Sequence, residues 1–272
     1  DYNKRVQYQA YDVTDLLREG KNVISAQLAD GWYAGMLGPT RWSEYFPKRG
    51  AYGLDRRLFL QLEIAYPDGT HEQVLSDGSW KINPDGPVRL ADNFLGETYD
   101  ANMEIKDWDK AEFDDSSWEN VVAEKNERNL VPQMNQPVRI IETLECREVT
   151  KTKKGYWLFD AGENIAGWCN IKLEGKTGDR IILRHGELLD DNGELYTENL
   201  SAAIQTDTVI LGPSGKLDYE PRFTYHGFRY VEVRGLRNKP EKTIFTAKVV
   251  ASDQPRTGSF ESRQSDPLHS EQ

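Results

Sequence analysis

Between Tyr219 and Gly235 the chain reads YEPRFTYHGFRYVEVRG. From Phe228 onward it alternates, with Phe228, Tyr230 and Glu232 to one side and Arg229, Val231 and Val233 to the other. A period of two carried by aromatic and β-branched residues specifies a β-strand. Pro221 marks the entry, because proline has no amide to give a central ladder. Gly227 inside the run predicts a bulge or a close backbone approach. A chain organised around such a segment has to supply further strands to cover it.

Those strands are spaced along the whole sequence. Val23–Leu28, Arg57–Tyr66, His71–Leu75, Val138–Thr150, Gly155–Asp160, Gly167–Leu173, Arg180–His185, Thr206–Leu211 and Thr243–Ala251 all read as strands. The turns between them have a mechanism. In Pro67-Asp68-Gly69 the proline presets one dihedral and the glycine permits the next, and Asp190-Asp191-Asn192-Gly193 ends in the Asn-Gly pair of a tight hairpin. Helical signals are few: a single turn over Tyr11–Leu17, capped by Thr14 or Asp15, and a helix start at Asp266-Pro267. Short strands with regular turn signals predict an all-β fold of two antiparallel sandwiches, of jelly-roll or concanavalin-like type. The aperiodic stretch 126–137, with Pro132 and Pro137, reads as the crossing between them. The division is then 1–137, 138–256 and a polar linker at 257–272.

Charge and composition remove several function classes. A net charge of -11 argues against a nucleic-acid partner, since phosphate binding needs a basic patch. No apolar run reaches the length of a membrane span. Cys146 and Cys169 lack metal spacing and read as free thiols, leaving the compartment open among periplasm, cell exterior and cytoplasm. The histidines, His71, His185, His226 and His269, share no zinc-type spacing. DDNGELYTE at Asp190 fails as a calcium loop, because Leu195 stands where the loop needs glycine. Phosphate loops and nucleophile elbows are absent.

Two stretches carry binding chemistry. Trp32 to Phe46 is a long loop rich in aromatics, and loops of that length are often functional. Trp32, Tyr33, Arg41 and Trp42 combine flat apolar rings with a polar group, as a sugar face with its hydroxyls requires. The alternative is that these rings cap the end of a sandwich. The second stretch, ADNFLGETYDAN, places Asp92, Asn93, Glu97 and Asp100 at short spacing. They can accept from hydroxyls, and Asp92 and Asn93 can hold a hard cation such as calcium; the alternative is a turn held by Asx hydrogen bonds. Paired carboxylates for glycoside hydrolysis are not singled out: Glu97, Asp100, Glu163, Glu187, Asp190 and Asp191 all qualify equally.

The same stretches carry a family resemblance. KRVQYQAYDVTDLLREGKN, ADGWYAG, LGETYDAN and FDDSSW in the first half, with FDAGENIAGW, RHGELLDDNGELYTENL, TDTVIL and YEPRFTYHGFRYVEVRG in the second, resemble the non-catalytic N-terminal part of bacterial α-L-rhamnosidases. The resemblance implies two β-sandwich domains ahead of an α/α barrel that holds the catalytic acids. It implies that the chain begins inside the first sandwich and stops before the barrel. It departs from the family at Asn102, where GE-x-YDAR has arginine. The expected role is accessory: no catalytic residue in this chain, support of its own barrel, and contact with rhamnose-containing glycosides. Rival expectations are a structural scaffold without a ligand, and a complete glycosidase with its acids in the second sandwich.

Overall fold

One strand, Trp157–Glu174, organises the second half of the molecule. The fold comes from a computed structural model that describes residues 2–37, 49–125 and 127–259. The 18-residue strand pairs antiparallel with four others. Its first part lies between Glu148–Lys151 and His226–Arg234, and its last part between Lys216–Tyr219 and Phe245–Ser252. A register shift between Asp160 and Ile165 separates the parts. Such a bulge bends the strand, and the strand changes partners across it. Phe159, in the first part, stacks on Phe245 at 5.1 Å. Around that contact Cys169, Ile171, Leu183, Val209, Phe228 and Val233 form a fully buried core.

From one edge the sheet runs Val88–Asp92, Gly96–Asp100, Thr206–Ile210, Arg180–Gly186, His226–Arg234, Trp157–Glu174, Phe245–Ser252 and Val138–Glu145. Its neighbours are antiparallel except at one seam, where Gly96–Asp100 runs parallel to Thr206–Ile210, with Thr208 opposite Thr98. Strands from the first half thus extend the sheet of the second. Four two-stranded ladders complete the described residues: Val6–Tyr8 with Leu130–Pro132, Gln61–Ala65 with His71–Leu75, Lys81–Ile82 with Glu119–Asn120, and Leu188–Leu189 with Leu195–Tyr196.

The all-β, antiparallel architecture is the one expected, and several turns form for the reasons given. Asp68 Oδ1 accepts from the amide and hydroxyl of Thr70 at 2.9 and 2.7 Å, with Gly69 at φ 86°. Asp190 Oδ1 accepts from the amides of Asn192 and Glu194 in the same way. The turn at Thr14–Leu16 is a 3-10 helix with Val13 at its N-cap and no side-chain cap from Thr14 or Asp15; Asp12 Oδ1 accepts from the amide and hydroxyl of Thr14 at 3.0 and 2.7 Å. Both cysteines are free and buried.

Three segments differ from expectation. Val23–Leu28 joins no ladder, and Gly31–Ala34 is a short helix; alternation alone makes no strand without a partner edge, and Val23 and Leu28 stay exposed. Gly155–Asp160 and Gly167–Leu173 are parts of one strand, since the bulge absorbs the glycines between them. ADNFLGETYDAN, which is not among the expected strands, lies on a hairpin of Val88–Asp92 with Gly96–Asp100. The helix start at Asp266-Pro267 lies outside the described residues.

Candidate functional site

The hairpin 88–100 brings its carboxylates inward. Asp92 ends the first strand and is fully buried. Its Oδ1 accepts from the amides of Phe94 and Leu95 at 2.8 and 3.2 Å, and its Oδ2 from the amide of Met36 at 2.9 Å. Three N–H donors hold this carboxylate in place, which is how a buried anion is tolerated. Its backbone carbonyl accepts from the Thr224 hydroxyl at 3.1 Å. Arg49 approaches Asp92 at 3.9 Å and, with Arg56, also pairs with Asp30 beside the helix Gly31–Ala34. Asp92 therefore joins that helix, the hairpin and the 224 region.

Glu97 is fully buried one strand over. Its carboxylate accepts from the Tyr219 hydroxyl at 3.1 Å and from the amides of Arg222 and Phe223 at 3.0 and 3.3 Å. Burial pushes its pKa up to about 7, with the nearby Asp207 charge adding to the rise and the three donors opposing it. Its own amide donates to Asp207 Oδ1 at 2.8 Å.

Asp207 belongs to a fully buried polar cluster with His185, His226 and Cys169. His226 Nε2 lies 3.2 Å from both Asp207 oxygens, and His185 Nε2 lies 3.9 Å from Oδ2. His185 stacks obliquely on His226 with centroids 4.2 Å apart, and Cys169 Sγ is 3.6 Å from His185 Nε2. Burial, and then the neighbouring His226, lower the His185 pKa to about 3. Burial disfavours the Asp207 charge, yet the two imidazoles and the Glu97 amide hold its pKa below the ordinary value. The Cys169 and Tyr219 protons are held tightly, through burial and the Asp207 charge. Sequence spacing gave no sign of this group: its members stand on four neighbouring strands, and such adjacency leaves no short motif.

The remaining sugar-contact candidates are scattered. Trp32 projects from the short helix, partly exposed, its ring edge-on to Phe94 at 5.9 Å. Tyr33 packs on Tyr2 and Tyr52, with the Arg128 guanidinium 5.8 Å from its ring. Asn93 stands half-buried at the hairpin tip. Asp100 caps the 3-10 turn Ala101–Met103 by accepting from the amide and side chain of Asn102 at 3.0 and 2.7 Å. Arg41 and Trp42 lie outside the described residues. Asn102, where the family pattern has arginine, also donates to the Leu211 carbonyl at 3.3 Å and links the two halves.

Glu187 accepts from Asn164 and Asn199, Glu163 is exposed on the bulge, and Asp190 is spent on its turn. Asp92 and Glu97 are fully buried, and each accepts three hydrogen bonds from protein donors.

Comparison with known proteins decides the family. Residues 1–142 match the model of the α-L-rhamnosidase N-terminal domain, and residues 150–251 that of the bacterial α-L-rhamnosidase concanavalin-like domain. The chain belongs to the α-L-rhamnosidase family. An α-L-rhamnosidase of Streptomyces avermitilis is 43% identical over 266 residues, which is 96% of this chain and 25% of that protein. The crystal structure of a Streptomyces avermitilis α-L-rhamnosidase complexed with L-rhamnose superposes with a TM-score of 0.84 at 41% identity, over 93% of this chain and 24% of that one. The native Aspergillus terreus enzyme superposes with a TM-score of 0.83 at 33% identity, over 97% of this chain and 30% of that one. The chain thus spans about a quarter of the length of the curated relatives it matches. It corresponds to the accessory N-terminal β domains of an α-L-rhamnosidase. No helix among the described residues is long and apolar enough to cross a membrane.

Proposed function

We propose that this chain serves an α-L-rhamnosidase as its non-catalytic β portion, supporting a barrel that removes terminal rhamnose from rhamnosides. The observation that carries this reading is the use of Glu97 and Asp92. Both acids are buried, and their hydrogen bonds join elements of the two halves. A glycosidase needs an acid and a second carboxylate set about the scissile bond. The functional division runs at 137/138, with residues 257–272 leading towards the barrel. Incubation of the isolated chain with p-nitrophenyl α-L-rhamnoside is expected to give no turnover. Turnover abolished by Glu163→Gln or Glu187→Gln would overturn the reading and favour a complete enzyme.

A weak rhamnose contact on the first half is part of the same proposal. The partly exposed Trp32, beside Asn93 at the hairpin tip, supports it; Tyr33, Arg41 and Trp42 belong to the same loop sequence. Asp92, Glu97 and Asp100 act from beneath, by fixing the hairpin and its exit rather than by touching sugar. The affinity expected of so open a contact is about millimolar. Titration with rhamnose, with and without calcium, is followed by tryptophan fluorescence and repeated on Trp32→Ala. A saturable change weakened by the substitution is expected; no saturable change leaves the scaffold alone.

A further inference from the structure

We propose that Glu97 is a proton-sensitive latch, closing the joint between hairpin 88–100 and the stretch 219–224 more firmly when protonated than when ionised. The charge count comes first. Glu97 and Asp207 are both fully buried, on the two strands that meet at the parallel seam. The Glu97 amide donates to Asp207 Oδ1 at 2.8 Å, and Asp207 has His226 Nε2 at 3.2 Å. Glu97 has no such partner. Among the described residues no cationic side chain pairs with it, and the Arg222 guanidinium is turned to Gln27 at 3.3 Å. Two neighbouring carboxylates away from water disfavour each other's charge.

The hydrogen bonds decide which oxygen takes a proton. Glu97 Oε2 accepts from the amides of Arg222 and Phe223 at 3.0 and 3.3 Å, and an amide N–H can only donate. Glu97 Oε1 faces the Tyr219 hydroxyl at 3.1 Å, which can donate or accept. A proton on Oε1 turns that bond round and leaves both amide bonds made. Burial, reinforced by the Asp207 charge, pushes the Glu97 pKa up to about 7. Burial also works against the Asp207 charge, but its imidazole partners outweigh it and hold that pKa below the ordinary value.

The groups around the joint leave Glu97 as the one that responds. Burial holds the protons of Tyr99, Tyr219 and Cys169 and keeps His185 neutral. Asp92, on the neighbouring strand of the hairpin, is bonded to three amides, and His226 faces Asp207 rather than Glu97. In an open joint Glu97 meets water and titrates at the ordinary value of about 4.3. The closed joint keeps the proton up to about pH 7. The closed state therefore binds more protons between those values. Its added stability is full below about pH 4 and is lost as pH rises through about 7.

The test is urea unfolding of the full chain and of Glu97→Gln from about pH 5 to about pH 8. Glutamine keeps an oxygen for the two amides and turns a fixed donor to Tyr219, so it copies protonated glutamate and does not titrate. The unfolding constant of the parent, divided by that of the variant, is expected to rise at least about tenfold across this range. Amide exchange at Arg222 and Phe223, corrected for intrinsic rates, should quicken over the same range in the parent and not in the variant. If Glu97→Gln fails to fold, infrared difference spectra of the parent decide: a carboxylic-acid C=O band is expected to disappear between about pH 6 and pH 8. A ratio that does not change with pH, or no acid band titrating there, overturns the proposal.

Discussion

The amide of Glu97 donates to the Asp207 carboxylate at 2.8 Å across 110 residues of sequence. Glu97 sits on a strand that joins the concanavalin-like sheet in parallel, so its backbone and its side chain both hold the seam. Replacing it by alanine leaves the Tyr219 hydroxyl and the Arg222 and Phe223 amides without their acceptor. The expected loss is about 2–4 kcal/mol, because buried donors left unsatisfied are costly. Urea denaturation of Glu97→Ala against Glu97→Gln checks it. Glutamine retains one acceptor oxygen and should lose less; equal stability of the parent and both variants would contradict the role.

Gly96 is held at φ 107° in the same strand, where a Cβ would stand 2.2 Å from the Thr206 carbonyl oxygen. Backbone meets backbone there, so no side chain can yield. Gly96→Ala is expected to cost about 3 kcal/mol or more, combining a strained dihedral with a clash. The measurement is the urea midpoint. Amide exchange should rise across 88–100 and 206–210 before the rest of the sheet.

Much of this was legible in local pattern and part of it was not. The hairpins at Asp68 and Asp190 follow from residues two to four apart, and alternation marks the strands around Val231. Asp92 and Glu97 read as a polar turn because their strands are short and their partners distant: Met36, Tyr219, Arg222 and Phe223. The Cys169–His226 group is hidden for the same reason, since strand order and not residue spacing assembles it. Alternation also misled at Val23–Leu28, where no ladder partner exists among the described residues.

Arg229 grips Asp160 with two donors, Nε at 3.0 Å and Nη2 at 3.2 Å, beside the bulge of the long strand. Burial alone would raise the Asp160 pKa, but the Arg229 and Gly162 hydrogen bonds outweigh it and hold the value below normal. A lowered folded pKa means that the unfolded chain binds the proton first as pH falls. The pair's contribution is therefore present above about pH 4, the unfolded carboxylate value, and is lost below it as pH drops through the folded value. Asp160→Asn is expected to lower stability at pH 7 by about 1–3 kcal/mol. It should also flatten the acid limb of the stability profile; an unchanged acid limb would remove Asp160 from the account.

Cleavage between Gln133 and Pro137 tests how the halves are joined. Met134 there is 86% exposed, and the preceding strand Leu130–Pro132 is anchored to Val6–Tyr8 on its own side of the cut. A protease should therefore nick this stretch readily. The nick alone should not part the fragments. Hairpin 88–100 stays in the large sheet through its parallel ladder and through amides of Ile204, Gln205 and Thr206 that donate to Phe94 and Leu95 at 2.7–3.1 Å. Glu97, Asp92 and Asn102 add bonds to 207–224. Gel filtration of the nicked protein is expected to give one peak containing both fragments in buffer and two in urea. Two peaks without denaturant would mean that the hairpin does not hold the halves together.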